Sequence, residues 1–376
     1  MQPNSTPDFQ RNVHCLIGLP FDAVTLSNAV ERVHIAVKYR RSMFLSTPNL
    51  NFLVACQTDA EFRSSVIHSD LSLADGMPIV WLAKMLGIPI AERVAGSTLF
   101  ETLHQRPASP THRALGVYFF GGPEGAAKAA HDRLNKTPQG GLRGVGFASP
   151  GFGSIADMSS PATLDPINAS GADFVVVALG ARKGQEWIEH NRAQLETPVI
   201  SHLGAVVNLV AGTVARAPLW MQRTGLEWLW RIREEPTLWR RYLKDGTTLL
   251  RLMMTRVLPL MWLRRTTSPA AAELCAAQVQ TQHDGDTVHI TLSGAWAASN
   301  LGPLREALQR TCQQAHHVAI DMSSVTSADS AVFGLLMLLR SHQDATGNTL
   351  QFSSVSSTVT RLGTLYGADW LWLEAK

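Results

Sequence analysis

Short, continuously apolar runs alternate with amphipathic stretches over residues 1–215. MFLST (43–47), LSLAD (71–75), GVYFFGG (116–122), FVVVALG (174–180) and PVISHLG (198–204) read as strands. Between them lie helical stretches such as PIVWLAKMLG (78–87), STLFETLHQR (97–106) and PEGAAKAAHDRLN (123–135). In the second of these, Thr98 and Glu101 have capping-box spacing. Strands that lack polar alternation are buried on both faces. The pattern therefore predicts an α/β domain with a mostly parallel sheet and helices on both sides.

Residues 216–265 differ in kind. Five of the ten tryptophans fall between Trp220 and Trp262, among many arginines and few acids. Leu249 to Arg265 is apolar but broken by Arg251 and Arg256 and closed by Arg264-Arg265, too short and too charged to cross a bilayer. An aromatic and aliphatic helix flanked by arginines suits the headgroup boundary of an anionic membrane. The same pattern also serves a helix packed on the core or on a second subunit.

TTSPAAAE opens a linker over residues 266–274, and a small α/β domain follows over residues 275–376. It reads as an alternating strand VHITLSG (288–294), a helix LGPLREALQRTCQQA (301–315) and a buried strand HVAIDMS (317–323). A helix SAVFGLLMLLRSHQDATG (330–347) and a strand LQFSSV (350–355) complete it.

Composition narrows the class. With 376 residues, 45% hydrophobic and 17% charged, the chain has more than one core and is not disordered. A net charge of +3, with no lysine-rich tail, gives no reason to expect nucleic acid as a partner. Cys15, Cys56, Cys275 and Cys312 lack metal-ligand spacing and read as reduced thiols. The polar start MQPNSTPDFQRN has no secretion-signal core, so a cytoplasmic protein, or one lying on the cytoplasmic face of a membrane, is expected.

Polar residues collect where the strands end. LSLADGMPIV (71–80) closes a strand with Asp75-Gly76 just before a helix. Asp75 either caps that helix or faces a ligand at the carboxyl edge of the sheet. STPNLNF (46–52) places Thr47 and Asn49 after a strand, and AERVAG (91–96) offers Arg93. FFGGPEG (119–125) is a glycine turn suited to backbone contact with a phosphate or a nucleobase. LGARKGQEW (179–187) repeats the design with Lys183, Gln185 and Glu186. Residues 1–265 hold no Asp-x-Asp, no paired histidines and no Cys–His cluster. A nucleotide diphosphate bound here is therefore expected to be neutralised by arginines, with no metal and no cofactor.

TPNLNF, ADGMPIVWLAKMLGIPIAERVAG, the Gly121-Gly122 turn, LGARKGQEWI, and RAPLWMQRTGLEWLWRIREEP followed by RRY resemble the WecG/TagA/CpsF glycosyltransferases, over about residues 13–245. The resemblance implies a Rossmann-like domain that moves a sugar of N-acetylmannosamine type, or a related hexose or uronate, from a UDP donor. The acceptor would be a sugar on a polyprenyl-diphosphate lipid, and the anomeric centre would invert without a metal. Such a reaction serves bacterial cell-surface or exopolysaccharide synthesis.

Carried over by position, the resemblance implies Asp75 as general base and Arg93 as the charge that stabilises departing UDP. It implies Thr47 and Asn49 on sugar hydroxyls, and Gly121, Gly122, Lys183 and Gln185 at the donor. Arg231 and Arg241, with Arg240 adjacent, match arginines of an appendage that closes over the site and touches the membrane. A location on the inner face of the cytoplasmic membrane and assembly into a homo-oligomer are also implied. Two stretches depart from the family's pattern. Gly180-Ala181-Arg182-Lys183-Gly184-Gln185-Glu186 is one residue longer and lacks a proline, and Thr237-Leu238 stand where a basic residue is usual.

VAIDMSSVTSADSAVFGLLMLL (318–339) resembles the STAS fold of anti-sigma-factor antagonists and sulfate-transporter tails, over about residues 275–376. That implies docking of a protein partner. Ser330 stands at a helix start, where antagonists are phosphorylated. It is either a phosphoacceptor, whose added charge would switch a partner off, or a simple cap. The alternative to an enzyme is a scaffold that binds UDP-sugars without turnover and recruits partners through this domain; the intact Asp75 and Arg93 motifs favour the enzyme. A nucleotide-dependent oxidoreductase is disfavoured because the first strand–helix turn lacks Gly-x-Gly-x-x-Gly.

Overall fold

The computed structural model describes residues 7–107, 113–136, 140–151, 153–314 and 317–373. Strands β1 (Val13–Leu16) and β2 (Leu19–Asp22) form an antiparallel hairpin. β3 (Met43–Ser46), β4 (Leu71–Ser72), β5 (Leu115–Gly121), β6 (Leu142–Ala148), β7 (Phe174–Ala178) and β8 (Val199–His202) make a six-stranded sheet. Its order is β4-β3-β8-β7-β5-β6 and every neighbouring pair is parallel. β9 (Gln278–Asp284), β10 (Thr287–Trp296), β11 (His317–Ala328) and β12 (Leu350–Val355) make a second sheet in the order β12-β11-β10-β9, with only β9 antiparallel.

The apolar runs are strands for the expected reason. Side chains of β5 and β7 alternate between two cores, Val117, Phe119, Phe174 and Val176 on one face and Phe120, Val175 and Val177 on the other. Phe120 stacks on Trp187 at 4.2 Å. The hairpin and β6 escape the apolar pattern because Pro20 and the glycines of LRGVGFA interrupt them. LSLAD gives only Leu71 and Ser72 to the ladder. Beyond them the Leu73 and Asp75 N–H groups donate to Ser46 and Pro48 carbonyls, so the chain still runs beside β3 to its end.

Helix Trp239–Leu252, a π turn at Met253–Val257 and helix Leu258–Thr266 are continuous. The widening lies just ahead of Pro259, which has no N–H and whose ring crowds the preceding turn. Leu252, Val257, Leu260 and Leu263 face the core, while Trp239, Leu243, Leu250, Met254, Leu258 and Trp262 are exposed. No helix among the described residues is long and apolar enough to cross a membrane. The predicted linker carries a short helix, Ala271–Cys275, whose Glu273 accepts the Ala270 N–H at 2.8 Å.

The hairpin, the helices around Asp75 and the second sheet share one continuous apolar core. It runs from Phe52 and Leu53 through Val13, Cys15 and Leu16 of the hairpin to Phe333, Leu336 and Met337 of helix Ser330–Thr346. Close approach is made at glycines. A Cβ on Gly334 would lie 2.6 Å from the Val13 carbonyl oxygen, and one on Gly18 would lie 2.8 Å from the Gly367 carbonyl oxygen. His68 bridges the halves, 2.8 Å from Glu189 and 3.4 Å from Asp344. Burial alone would lower its pKa, but hydrogen bonds to Asp344 and Glu189 outweigh it and raise the imidazole to about 9. It is therefore a charged tie at neutral pH.

The cap expected of Ser330 is corrected, and its hydroxyl is enclosed. Asp329 is the cap, accepting from the Ala331 and Val332 N–H groups at 2.8 and 3.2 Å. Ser330 is 4% exposed, with its hydroxyl 3.0 Å from His14 Nδ1 on β1. His14 Nε2 lies 3.1 Å from Asn12 Oδ1, and burial lowers the pKa of the ring. A neutral His14 that donates to Asn12 and accepts from Ser330 satisfies all three groups. The helix start expected to receive a kinase and a separate protein partner is thus covered by the chain's own hairpin.

Candidate active site

Asp75 stands where β3 and β4 end. Gly76, at φ +105°, opens helix Met77–Met85, and no side chain caps that helix. Asp75 is therefore not its cap. Its carboxylate accepts the N–H of Gly96, the first residue of helix Gly96–Gln105. The capping box expected of Thr98 and Glu101 is absent, because Arg216 takes both: it donates to Thr98 Oγ1 at 2.8 Å and pairs with Glu101.

Removal from water pushes the Asp75 carboxyl up to about 6, against the pull of Arg93 and Arg231 and with a push from Glu227. Arg93 Nη1 lies 2.7 Å from Glu227 Oε2. Glu227 and Arg231 are four residues apart on helix Glu227–Glu234, so one face of the appendage presents both to the site. Gly225, just before this helix, rests against Met77 and Trp81, and a Cβ there would lie 2.9 Å from either. The appendage is seated on the helix that follows Asp75.

Thr47 is buried beside Gly96, where a Cβ would lie 3.3 Å from its Cγ2. Asn49 caps helix Leu50–Ala55, its Oδ1 accepting from Asn51 and Phe52, which leaves its amide nitrogen to donate elsewhere. The Gly121-Gly122 turn has φ of +93° and +89° and rests on the end of β7, with the Gly122 N–H 2.7 Å from the Ala178 carbonyl. A side chain on Gly121 would meet that carbonyl at 2.8 Å.

Other expected residues are engaged elsewhere. Gln185 is fully buried and pairs with Ser46, so it supports the wall of the site. Lys183 donates to the Gly153 carbonyl. Arg240 and Arg241 are exposed and lie over Trp239 and Tyr242 at 5.7 and 5.2 Å. The structure thus gathers Asp75, Arg93, Arg231 and Thr47. It does not bring Arg240, Arg241 or Lys183 to them.

Three further residues belong to the neighbourhood. Glu227 and Arg216 flank Arg93; TGLEW and ARAPLW carry them, and nothing in their spacing marks a charge partner 134 positions away. His202 ends β8, and its polar place in SHLG was the available signal. Its ring fills the space left by Gly184, where a Cβ would lie 2.2 Å away, and its Nε2 has no hydrogen-bond partner among the described residues. Burial lowers its pKa to about 4, so it is neutral. Asp245 anchors the long appendage helix by accepting from Asn51 at 3.3 Å. Among the described residues no group of three or more His, Cys, Asp or Glu side chains is placed to hold a metal ion.

The arrangement is a raised-pKa carboxylate beside guanidinium groups at the carboxyl edge of a parallel sheet. It is suited to take a proton next to a bound polyanion. The glycosyl transferase WecG/TagA/CpsF family matches residues 14–261, and the Mlab-type STAS domain matches residues 279–373. An N-acetylglucosaminyldiphosphoundecaprenol N-acetyl-beta-D-mannosaminyltransferase of Bacillus spizizenii is 28% identical over 213 residues, 56% of this chain and 79% of that protein. A protein of the same name from Staphylococcus aureus is 24% identical over 218 residues, 57% of this chain and 82% of that protein. A family match that spans the whole parallel-sheet domain and nearly all of the appendage is decisive: the chain belongs to the WecG/TagA/CpsF glycosyltransferases and carries a STAS domain joined to that enzyme.

Proposed function

We propose that the protein transfers an N-acetylmannosamine-type sugar, or a related hexose or uronate, from a UDP donor to a polyprenyl-diphosphate-linked glycan in bacterial cell-surface or exopolysaccharide synthesis. The observation that carries this reading is the Asp75 carboxylate held by the Gly96 N–H beside Arg93 and under Arg231. An acceptor hydroxyl gives its proton to Asp75 as its oxygen attacks the anomeric carbon. The bond to UDP breaks on the opposite face, so the configuration inverts. Arg93 and Arg231 neutralise the charge that develops on UDP, without a metal. With a pKa of about 6, Asp75 is ionised at neutral pH and is a better base than an ordinary carboxylate. Thr47 and the Asn49 amide hold sugar hydroxyls, and the Gly121-Gly122 turn lets the donor approach the backbone. The names of the two relatives support both the sugar type and the lipid diphosphate acceptor.

The exposed stripe from Trp239 to Trp262, with Arg240, Arg241, Arg251 and Arg265 also exposed, supports a seat on the inner face of the cytoplasmic membrane. Its aromatic rings suit the headgroup level and its guanidiniums suit anionic lipids.

The test is UDP release from a panel of UDP-sugars, with and without a polyprenyl-diphosphate-linked N-acetylglucosamine acceptor. Release that needs both substrates, and gives the inverted anomer by NMR, is expected. Binding of UDP without turnover of any donor would favour the scaffold.

Glu227 gives a second expectation. It pairs with Arg93, so the donor diphosphate must take Arg93 from it. Glu227→Gln should tighten UDP binding several-fold by calorimetry. It should also move the acidic limb of the pH–rate profile to lower pH, because the Glu227 charge pushes the Asp75 pKa up. Weaker UDP binding would mean that Glu227 chiefly holds the appendage in place.

A further inference from the structure

A groove of about 370 Å³ runs between helices Gly96–Gln105 and Gly204–Ala211. Its floor is apolar, with Phe100 on the first helix and Val206, Leu209 and Val210 on the second. Glu101 and Arg216 form its rim. On the first helix the lining positions begin at Ser97 and end at His104, at spacings of three and four that define one face. Seven residues of helix rise make that face about 10 Å long.

The groove's near end lies at the helix start that faces Asp75. Ser97 lines its near end, and the adjacent Gly96 gives its N–H to Asp75. Arg216 reaches Thr98 in the first turn, and the apolar floor runs on beside it, with His104 and Arg133 also lining the groove. Near the base, then, the groove offers a guanidinium beside hydrocarbon. A lipid-linked sugar offers the complementary groups: a hydroxyl, a diphosphate one sugar ring away, and isoprene units. The donor diphosphate has Arg93 and Arg231, which leaves Arg216 for a second anion.

We propose that this groove binds the lipid end of the acceptor, with Arg216 on its diphosphate and Phe100, Val206, Leu209 and Val210 on about the first two isoprene units. This rests on the reading above that the acceptor is a polyprenyl-diphosphate-linked sugar. Glu101, which pairs with Arg216, yields the guanidinium to the phosphate. The groove thereby sets the distance between lipid and base, so that a single hydroxyl of the proximal sugar meets Asp75.

The experiment uses the full chain and N-acetylglucosaminyl diphosphates esterified to methyl, five-, ten- and fifteen-carbon prenyl groups, below their critical micelle concentrations and without vesicles. UDP release gives kcat and KM. Acceptor KM should fall roughly tenfold for each of the first two isoprene units, as each is partly removed from water on the apolar floor, and then level off. Val210→Trp, which fills the groove at a partly exposed position, should flatten that dependence while leaving the donor KM unchanged. Arg216→Gln should raise acceptor KM about tenfold at every chain length. KM values independent of chain length, or a chain-length dependence that Val210→Trp does not alter, would overturn the groove while turnover itself upholds the transferase. Absence of turnover with all of these acceptors and with the undecaprenyl acceptor in vesicles would overturn the functional reading and the groove together.

Discussion

Asp75→Asn is expected to lower turnover about 10²–10⁴-fold, to leave UDP binding intact and to make the protein more stable. Asparagine keeps an oxygen for the Gly96 N–H, so the start of helix Gly96–Gln105 stays in place. What is lost is the proton acceptor. The stability gain follows from linkage. Folding raises the Asp75 carboxyl from 3.8 to about 6, so the folded state holds the proton more tightly than the unfolded chain does. Ionising it therefore costs stability, progressively from about pH 4 and fully above about pH 6. That cost is roughly 2 kcal/mol once the partial exposure of the side chain is allowed for. The asparagine variant should match wild type near pH 3.5 and melt a few degrees higher at pH 7.5. Wild-type kcat/KM should rise with pH through about 6 and then level off. Equal turnover in wild type and variant would remove Asp75 from the chemistry. Equal melting temperatures at pH 7.5 would mean that the carboxylate is better solvated than its place in the fold implies.

Gly334→Val is expected to cost about 3 kcal/mol or more and to undock the STAS domain. The added Cβ would meet the Val13 carbonyl oxygen at 2.6 Å, and that contact is backbone, which cannot rotate away. The consequence reaches the site. Asp22, at the end of the same hairpin, pairs with Arg11 at 2.7 Å and accepts the Ser72 N–H at 2.8 Å, three residues before Asp75. Urea unfolding should show the loss of stability, and limited proteolysis should show new cleavage between residues 266 and 278. Gly302→Ala is the control. It lies at the start of helix Gly302–Gln314 with nothing within 4 Å of an added Cβ, and should change stability by less than about 0.5 kcal/mol. If Gly334→Val behaves like this control, the two halves do not share a folding core.

Much of this architecture was legible in the chain. Continuous apolar runs marked five strands of the parallel sheet, because a strand buried on both faces has no polar positions to spare. The polar residue ending each run then had to lie at one edge of the sheet, the edge that carries Asp75, Thr47 and the Gly121-Gly122 turn. The Trp- and Arg-rich segment announced an amphipathic helix by composition alone. Where pattern failed, a competing local interaction decided. The Thr98–Glu101 spacing suggested a cap, but the helix begins at Gly96, and Arg216 draws both side chains outward. Gln185 looked like a ligand contact, but its helix turns it inward to Ser46.

The sequence by itself determined which elements form, which of their faces are apolar and which residues end the strands. All of these depend on neighbours within a few positions. Only the tertiary structure decided what those residues meet. Asp75 takes its hydrogen bond from Gly96, not from the helix it precedes, and Arg93 is held by Glu227 of the appendage. Ser330 is closed off by His14, 316 positions away. A pKa, an ion pair or a buried hydroxyl is set by every charge and surface that folding brings within a few ångströms, and the identity of those neighbours is not a property of any local stretch.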